Sequence, residues 1–300
     1  MTVPSGRQIQ LEHGVHRAVV VEVGGGLREY TVDGVPVLDG YPSSEMASGG
    51  RGQTLLPWPN RLAGGRYSFG DSSYQLALTE PTKGNAIHGL TRWVNWTVDS
   101  QTESGVVMAL SLHPQPGYPF ALEFRLEYTL SDAGLTVRTT ATNVGDAPCP
   151  YGTGAHPYLT AGTDTVDGAT VQGPGRRYLP TDDNGIPTGT EDVEGGPYDF
   201  RQPRSLDGAE VDHCFTDLER DEDGIATVTL AGPDRSVRLW VDGGYRYLQV
   251  FTGDTLVPER RRRGLAVEPM TCPPDAFRSG EGLIVLEPGE TTMTTWGVAP

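Results

Sequence analysis

The segment Ala121–Leu130, ALEFRLEYTL, puts Leu122, Phe124, Leu126, Tyr128 and Leu130 on alternate positions, with Glu123, Arg125, Glu127 and Thr129 between them. A period of two gives a strand one dry face and one wet face. After Ser131-Asp132-Ala133-Gly134 the alternation resumes, with Leu135, Val137, Thr139 and Ala141 opposite Thr136, Arg138, Thr140 and Thr142. This predicts a long antiparallel hairpin. Shorter stretches of the same kind occur at His16–Val23, Glu29–Val37, Ile225–Leu230, Val237–Val241, Tyr245–Phe251, Leu283–Leu286 and Met293–Val298. No convincing 3.6-residue period runs through the chain, and Ala209–Arg220 is only a weak helical candidate. The expected fold class is all-β: a single large antiparallel β-sandwich spanning residues 1–300 as one domain, with long loops over Ala161–Gln202.

Composition agrees with many short strands joined by tight turns. Of 300 residues, 40 are Gly and 24 are Pro, while the hydrophobic share of 36% suffices for a sizeable core. A net charge of −16 argues against nucleic acid or an anionic membrane as partner, since both are bound through excess positive charge. Cys149, Cys214 and Cys272 are odd in number, far apart and without CxxC spacing, so neither a disulfide framework nor a zinc site is indicated. The N-terminus lacks a basic region followed by an apolar core, which leads us to expect a cytoplasmic protein that is not exported. Oligomeric state is not legible in the sequence.

The chemistry is expected around Gly264–Phe277, GLAVEPMTCPPDAF, where Glu268 follows a short apolar run. Pro269, Pro273 and Pro274 predict a rigid turn immediately after it. A carboxyl group in such a setting loses hydration and its pKa rises toward the range of a general base; the bland alternative is an ion pair with an arginine. Four other polar positions sit in punctuated, aromatic contexts. Arg61 leaves the proline-bracketed bend around Trp58 in LLPWPNRLAGG, and its fork of donors suits hydroxyls, a carboxylate or a phosphate as well as a surface ion pair. His88 precedes Gly89 in NAIHGLTRW, and His156 lies in YGTGAHPYL. Each histidine alone is more often structural than catalytic. Asp212, in EVDHCF, points away from His213 if the segment is extended, so only one of them can face a shared site.

In that order, WPNRLAGGRY, AIHGL, GAHPYL, VDHCF and AVEPMTCPPDAF resemble the ordered signature of the aldose 1-epimerases, the galactose mutarotases. The resemblance is strongest from Gly52 to Gly280; Leu159-Thr160 stands where many members carry Phe-Asn, which bears on sugar preference. It implies the galactose mutarotase-like supersandwich, a small-molecule sugar substrate of the glucose or galactose type, and interconversion of α and β anomers with no metal or organic cofactor. It also implies roles: Glu268 as base at the C1 hydroxyl, His156 as acid at the ring oxygen, and His88 as a donor to that same oxygen. Arg61, Asp212 and Tyr158 would hold the remaining hydroxyls, and Trp58 or Trp93 would offer an apolar face.

Three rivals differ in class. Asp212 and Glu268 could be a glycosidase pair, which leaves both histidines idle. A non-catalytic sugar-binding module would not need both a base and an acid candidate. A metal site built from His88, His156, His213 and Glu268 lacks the usual ligand spacing. One further feature bears on substrate. Arg260, Arg261, Arg262 and Arg263 form a dense basic run shortly before Glu268. Either they pair with surplus surface carboxylates, or Arg260 and Arg262, which share strand parity with Glu268, reach the site mouth and favour a 6-phosphate or 6-sulfonate hexose.

Overall fold

A computed structural model describes residues 3–300, and among them strands dominate. The predicted hairpin is the centre of the larger sheet: Leu122–Ser131 pairs antiparallel with Gly134–Asn143, Leu126 facing Thr139 and Tyr128 facing Val137. Its alternate apolar residues are buried, and the charged ones between them lie outside. Adding Thr97–Gln101 and Gly105–Leu112 on one flank, and Thr291–Ala299, Ser236–Val241, Ala226–Ala231, Thr170–Gln172 and Arg204–Ser205 on the other, completes nine strands. The second large sheet runs Glu191–Asp192, Gly175–Leu179, Asp212–Leu218, Tyr247–Phe251, Leu265–Met270, Gly154–Ala155 and Thr54–Leu55, with Tyr158–Leu159 also paired to Leu265–Met270. Inward side chains of both sheets, such as Val137 and Trp296 from one and Leu248, Val250 and Val267 from the other, merge in one apolar cluster. The result is a large antiparallel sandwich.

Three expectations change. Ala209–Arg220 holds no helix; it contains the strand Asp212–Leu218, whose Cys214 and Phe215 are buried between neighbouring strands. The only helical turns among the described residues are Val166–Gly168 and Ala276–Ser279. Glu29–Val37 is broken by a turn at Asp33-Gly34 into Leu27–Val32 and Val35–Pro36. The strand holding Glu268 does not stop at Pro269 but runs on to Met270. Its neighbour on that side is itself split into Gly154–Ala155 and Tyr158–Leu159 around His156 and Pro157, so a strand residue without an N–H lies beside an already interrupted ladder.

Alternation in the second sheet decides where the site lies. Leu265 and Val267, Leu248 and Val250, and Phe215 enter the main core. Period two therefore sends Glu268, Gln249 and Asp212 to the opposite face. Gln249 is paired with Glu268, and Asp212 with Phe251, so these polar groups cluster on adjacent strands.

Candidate active site

Loops close over that face. Residues 47–50, Asn60 and Arg61, Thr79 and Glu80, Ile87, His88, Arg92, Trp93, His156, Asp212, Phe251, Thr255, Leu256 and Glu268 line a cleft of about 630 Å³, a size suited to a small ligand. Arg61, His88, His156, Asp212 and Glu268 all meet there, although the chain separates the first from the last by 207 positions (268 − 61).

Glu268 sits at the floor, 3% exposed, with Oε1 3.2 Å from Nε2 of His156, which is 5% exposed. Its partner is thus a histidine rather than the arginine of the bland alternative. Burial, and then the nearby Asp212 carboxylate, push the Glu268 carboxyl well above the usual range, with Arg61 opposing. Burial, aided by the Arg51 and Arg92 charges, lowers His156 to about 3. Both shifts favour a protonated carboxyl beside a neutral imidazole. The ion pair, carboxylate beside imidazolium, carries the same single dissociable proton. Passing it across the contact converts one form into the other without exchange with solvent.

His88 is fixed by its backbone. It and Asn60 both adopt left-handed conformations, at φ 62° and 54°. The His88 N–H donates to the Asn60 carbonyl at 2.9 Å, and the Asn60 N–H donates to His88 Nδ1 at 3.1 Å. A backbone donor on Nδ1 leaves the ring proton of neutral His88 on Nε2, as a donor. Burial, with Arg92, His156 and Arg61 adding to it, keeps His88 neutral by lowering its pKa well below the ordinary value. Gly89 must be glycine here, since a Cβ would come within 2.0 Å of the Leu56 carbonyl oxygen.

Arg61 lines the cleft and forms an ion pair, its Nε and Nη2 gripping Glu80 at 2.9 and 3.1 Å. Asp212 opens to the cleft and accepts a 2.7 Å bond from Gln249 Nε2, whereas His213 packs beside Tyr178 and Tyr198. Extension therefore separates the two side chains as expected. Trp93, 55% exposed, lines the cleft, but Trp58 is buried against Phe277.

Tyr158 is a correction. Its ring is buried behind His156, stacked at 5.0 Å and 14°, its hydroxyl donates to the Gly49 carbonyl at 2.7 Å, and it does not line the cleft. The arginine run follows the first of its two readings, pairing with carboxylates. Arg260 binds Glu45 and the Gly40 carbonyl, and Arg262 binds Asp167, Asp254 and the Leu206 and Ala209 carbonyls. Arg263 lies 3.8 Å from Asp39, and none of the four arginines lines the cleft. The turn at Arg262, φ 56°, ends the extension on which the shared parity depended.

Two residues escaped sequence reasoning. Gln249, 4% exposed, is the lone polar residue of YLQVF, the same signal that marked Glu268 in LAVEPM. Arg92 lines the cleft with no carboxylate partner; its bonds go to the Gln53 side chain and the Ile87 carbonyl, and burial pulls it down to about 10. No local signal distinguishes Arg92 from any arginine beside a tryptophan.

His88, His156 and Glu268 offer ligand atoms within 4.8 Å of one another, near enough for a metal ion. The donor set does not fit one, because His88 presents an N–H rather than a lone pair. The arrangement suits proton transfer between Glu268 and His156 beside a neutral N–H donor.

The aldose 1-epimerase family model matches residues 7–296. The chain belongs to the aldose 1-epimerase family. It is 34% identical to the uncharacterized Escherichia coli K12 protein YihR over 287 residues, covering 95% of this chain and 91% of that one. The uncharacterized E. coli protein YphB is 25% identical over 95% of each chain. The same fold occurs in the GalM/aldose epimerase homologue from C. elegans, with TM-score 0.86, 18% identity and 98% of both chains covered. It occurs also in galactose 1-epimerase from Lactobacillus acidophilus NCFM, with TM-score 0.79, 20% identity, and 97% of this chain and 93% of that one covered. No helix among the described residues is long and apolar enough to cross a membrane.

Proposed function

We propose that the protein is an aldose 1-epimerase interconverting the anomers of a free aldohexose of the glucose or galactose type. The observation that carries this is the buried contact between the Glu268 carboxyl and the His156 imidazole, 3.2 Å apart at the floor of the cleft. Anomer exchange needs a base to take the C1 hydroxyl proton while an acid protonates the ring oxygen; after rotation about C1–C2 the two groups exchange roles. Transfer of the shared proton prepares Glu268 as that base and His156 as that acid. Nε2–H of His88 supports charge developing on the ring oxygen. Arg61 and Asp212, with Gln249 anchoring Asp212, hold the other hydroxyls. A sugar-binding module would have no use for a carboxyl and an imidazole kept buried at the cost of their hydration. Polarimetry of freshly dissolved α-glucose and α-galactose tests the proposal; rates no faster than spontaneous mutarotation on both sugars and on their anionic derivatives would refute it.

A second reading takes an anionic hexose as substrate, a 6-phosphate or 6-sulfonate. Arg260 and Arg262 no longer support it, but Arg92 does, because an unpaired guanidinium in a cleft is completed by an anion.

A further inference from the structure

We infer that Arg51 and Tyr158 are positioning residues for His156, acting as a stacked column that fixes the plane of its imidazole against Glu268. The inference takes the role of His156 from the proposed function. The column itself is a matter of geometry. The Arg51 guanidinium lies 4.2 Å over the Tyr158 ring, and that ring lies 5.0 Å from the imidazole with 14° between their planes. A cation on an aromatic face and two flat rings face to face each gain from contact, and together they leave the imidazole one orientation.

The column is held at every level. Arg51 is 2% exposed; its Nε and Nη2 bind Asp39 Oδ2 at 3.2 and 2.9 Å, and its Nη1 binds the Ser48 carbonyl at 3.1 Å. The Tyr158 hydroxyl is tied to Gly49. The His156 N–H donates to the Gln53 carbonyl at 3.0 Å, and the Gly52 N–H donates to the His156 carbonyl at 2.9 Å. A Cβ on Gly50 would come within 2.2 Å of His156 Cδ2, so the loop presses directly on the ring edge. Segment 48–53 is thus folded around one histidine.

An apolar side chain under Tyr158 would support it at less expense. Burying an ion pair such as Arg51–Asp39 costs on the order of several kcal/mol of lost hydration per ion before the attraction is counted. What the charge adds is a field at the imidazole. The charged and titratable groups facing His156 are Glu268 from the central strand, His88 and Arg92 from the 85–96 segment, and Arg51 through Tyr158. After burial, Arg51 is the largest influence opposing protonation of His156. It thereby helps to keep the shared proton on Glu268 until a sugar separates the two groups.

The test uses full-length protein carrying Arg51→Gln with Asp39→Asn, which removes both buried charges together, and separately Tyr158→Leu and Tyr158→Phe. Circular dichroism selects the folded variants. Anomer-exchange kinetics give kcat and KM, and NMR of ring-labelled histidine follows the titration of His156. The double variant and Tyr158→Leu are expected to lose about tenfold or more in kcat, with KM within about threefold, and the double variant, which removes the Arg51 charge, should also move the His156 titration upward toward 6.5. Tyr158→Phe, which keeps the column, should retain kcat. Unchanged kcat and unchanged titration in the folded double variant would overturn the inference, as would a Tyr158→Phe loss as deep as that of Tyr158→Leu. The titration does not depend on turnover. A wild type inactive on every aldose with a titration that still moves would count against the proposed function and leave the column standing.

Discussion

Asn60 and His88 hold each other through two reciprocal bonds, backbone N–H to backbone carbonyl at 2.9 Å and backbone N–H to imidazole Nδ1 at 3.1 Å. Both residues pay for the contact with a left-handed backbone, which for side chains other than glycine persists only where the surroundings impose it. What the pair secures is a neutral imidazole with its proton facing the cleft. His88→Asn is the informative change, because Asn tolerates the left-handed region and so preserves the turn. We expect kcat to fall about 100-fold, in line with removal of one donor to a developing charge, at near-normal stability. A variant with full turnover would show that His88 is structural.

The base is tested by Glu268→Gln, which keeps shape and removes the titration. Turnover should fall about 100- to 10,000-fold with sugar binding largely retained, as measured by polarimetry and calorimetric titration. Near-normal kcat would sink the assignment.

The same variant carries a stability prediction with a definite sign. The folded-state pKa of Glu268 is raised above its unfolded value, so its contribution to stability is present below about pH 4.3 and is lost as pH rises through the folded value. Glu268→Gln abolishes that loss. Its Tm should exceed that of wild type at pH 9 by more than at pH 4, and the reverse order would show that the carboxyl is not strained by burial.

The pH–rate profile reports the pair rather than either residue. The active state holds one proton between Glu268 and His156. At low pH a second proton enters His156, whose pKa is depressed to about 3, and at high pH the shared proton leaves Glu268, whose pKa is raised. The profile of kcat/KM should therefore be bell-shaped, with its acid limb below the ordinary histidine range and its alkaline limb above the ordinary carboxylate range. An acid limb centred near 6.5, after subtraction of spontaneous mutarotation, would contradict the shared-proton state.

The sequence carried the sheets where one face is wet. In Leu122–Ser131 the solvent side forces alternation, and the hairpin can be read residue by residue. Asp212–Leu218 is buried along one stretch and exposed at its ends, DHCFTDL, so no clean period survives and a helix remained conceivable. For the site, Glu268, His88, His156, Arg61 and Asp212 were visible because each sits where glycine, proline or apolar neighbours punctuate the chain. Tyr158 entered only through the family resemblance, and no local signal shows where its hydroxyl goes: it is spent on the Gly49 carbonyl, a contact 109 positions away in sequence. Of the two readings of the arginine run, pairing with carboxylates is the one found, because shared parity holds only while the chain stays extended, and it turns at Arg262.

Substrate charge turns on Arg92. It reaches the cleft beside exposed Trp93, its guanidinium carbon 5.4 Å from that ring, and it has no carboxylate to neutralise it. Arg61, by contrast, is already side-on to Glu80, and Arg262 is locked between Asp167 and Asp254. If the physiological sugar is anionic, Arg92→Leu should raise KM for the 6-phosphate or 6-sulfonate hexose by about 10-fold or more, the scale of one charge-assisted bond, with little effect on glucose. Added salt should weaken the wild-type preference and leave the variant unaffected. Arg260→Ala should change neither substrate's kcat/KM, since its bonds to Glu45 and the Gly40 carbonyl lie outside the cleft. Equal kcat/KM for neutral and anionic hexoses in wild type, unchanged by Arg92→Leu, would remove the anionic reading and leave a neutral aldohexose as substrate.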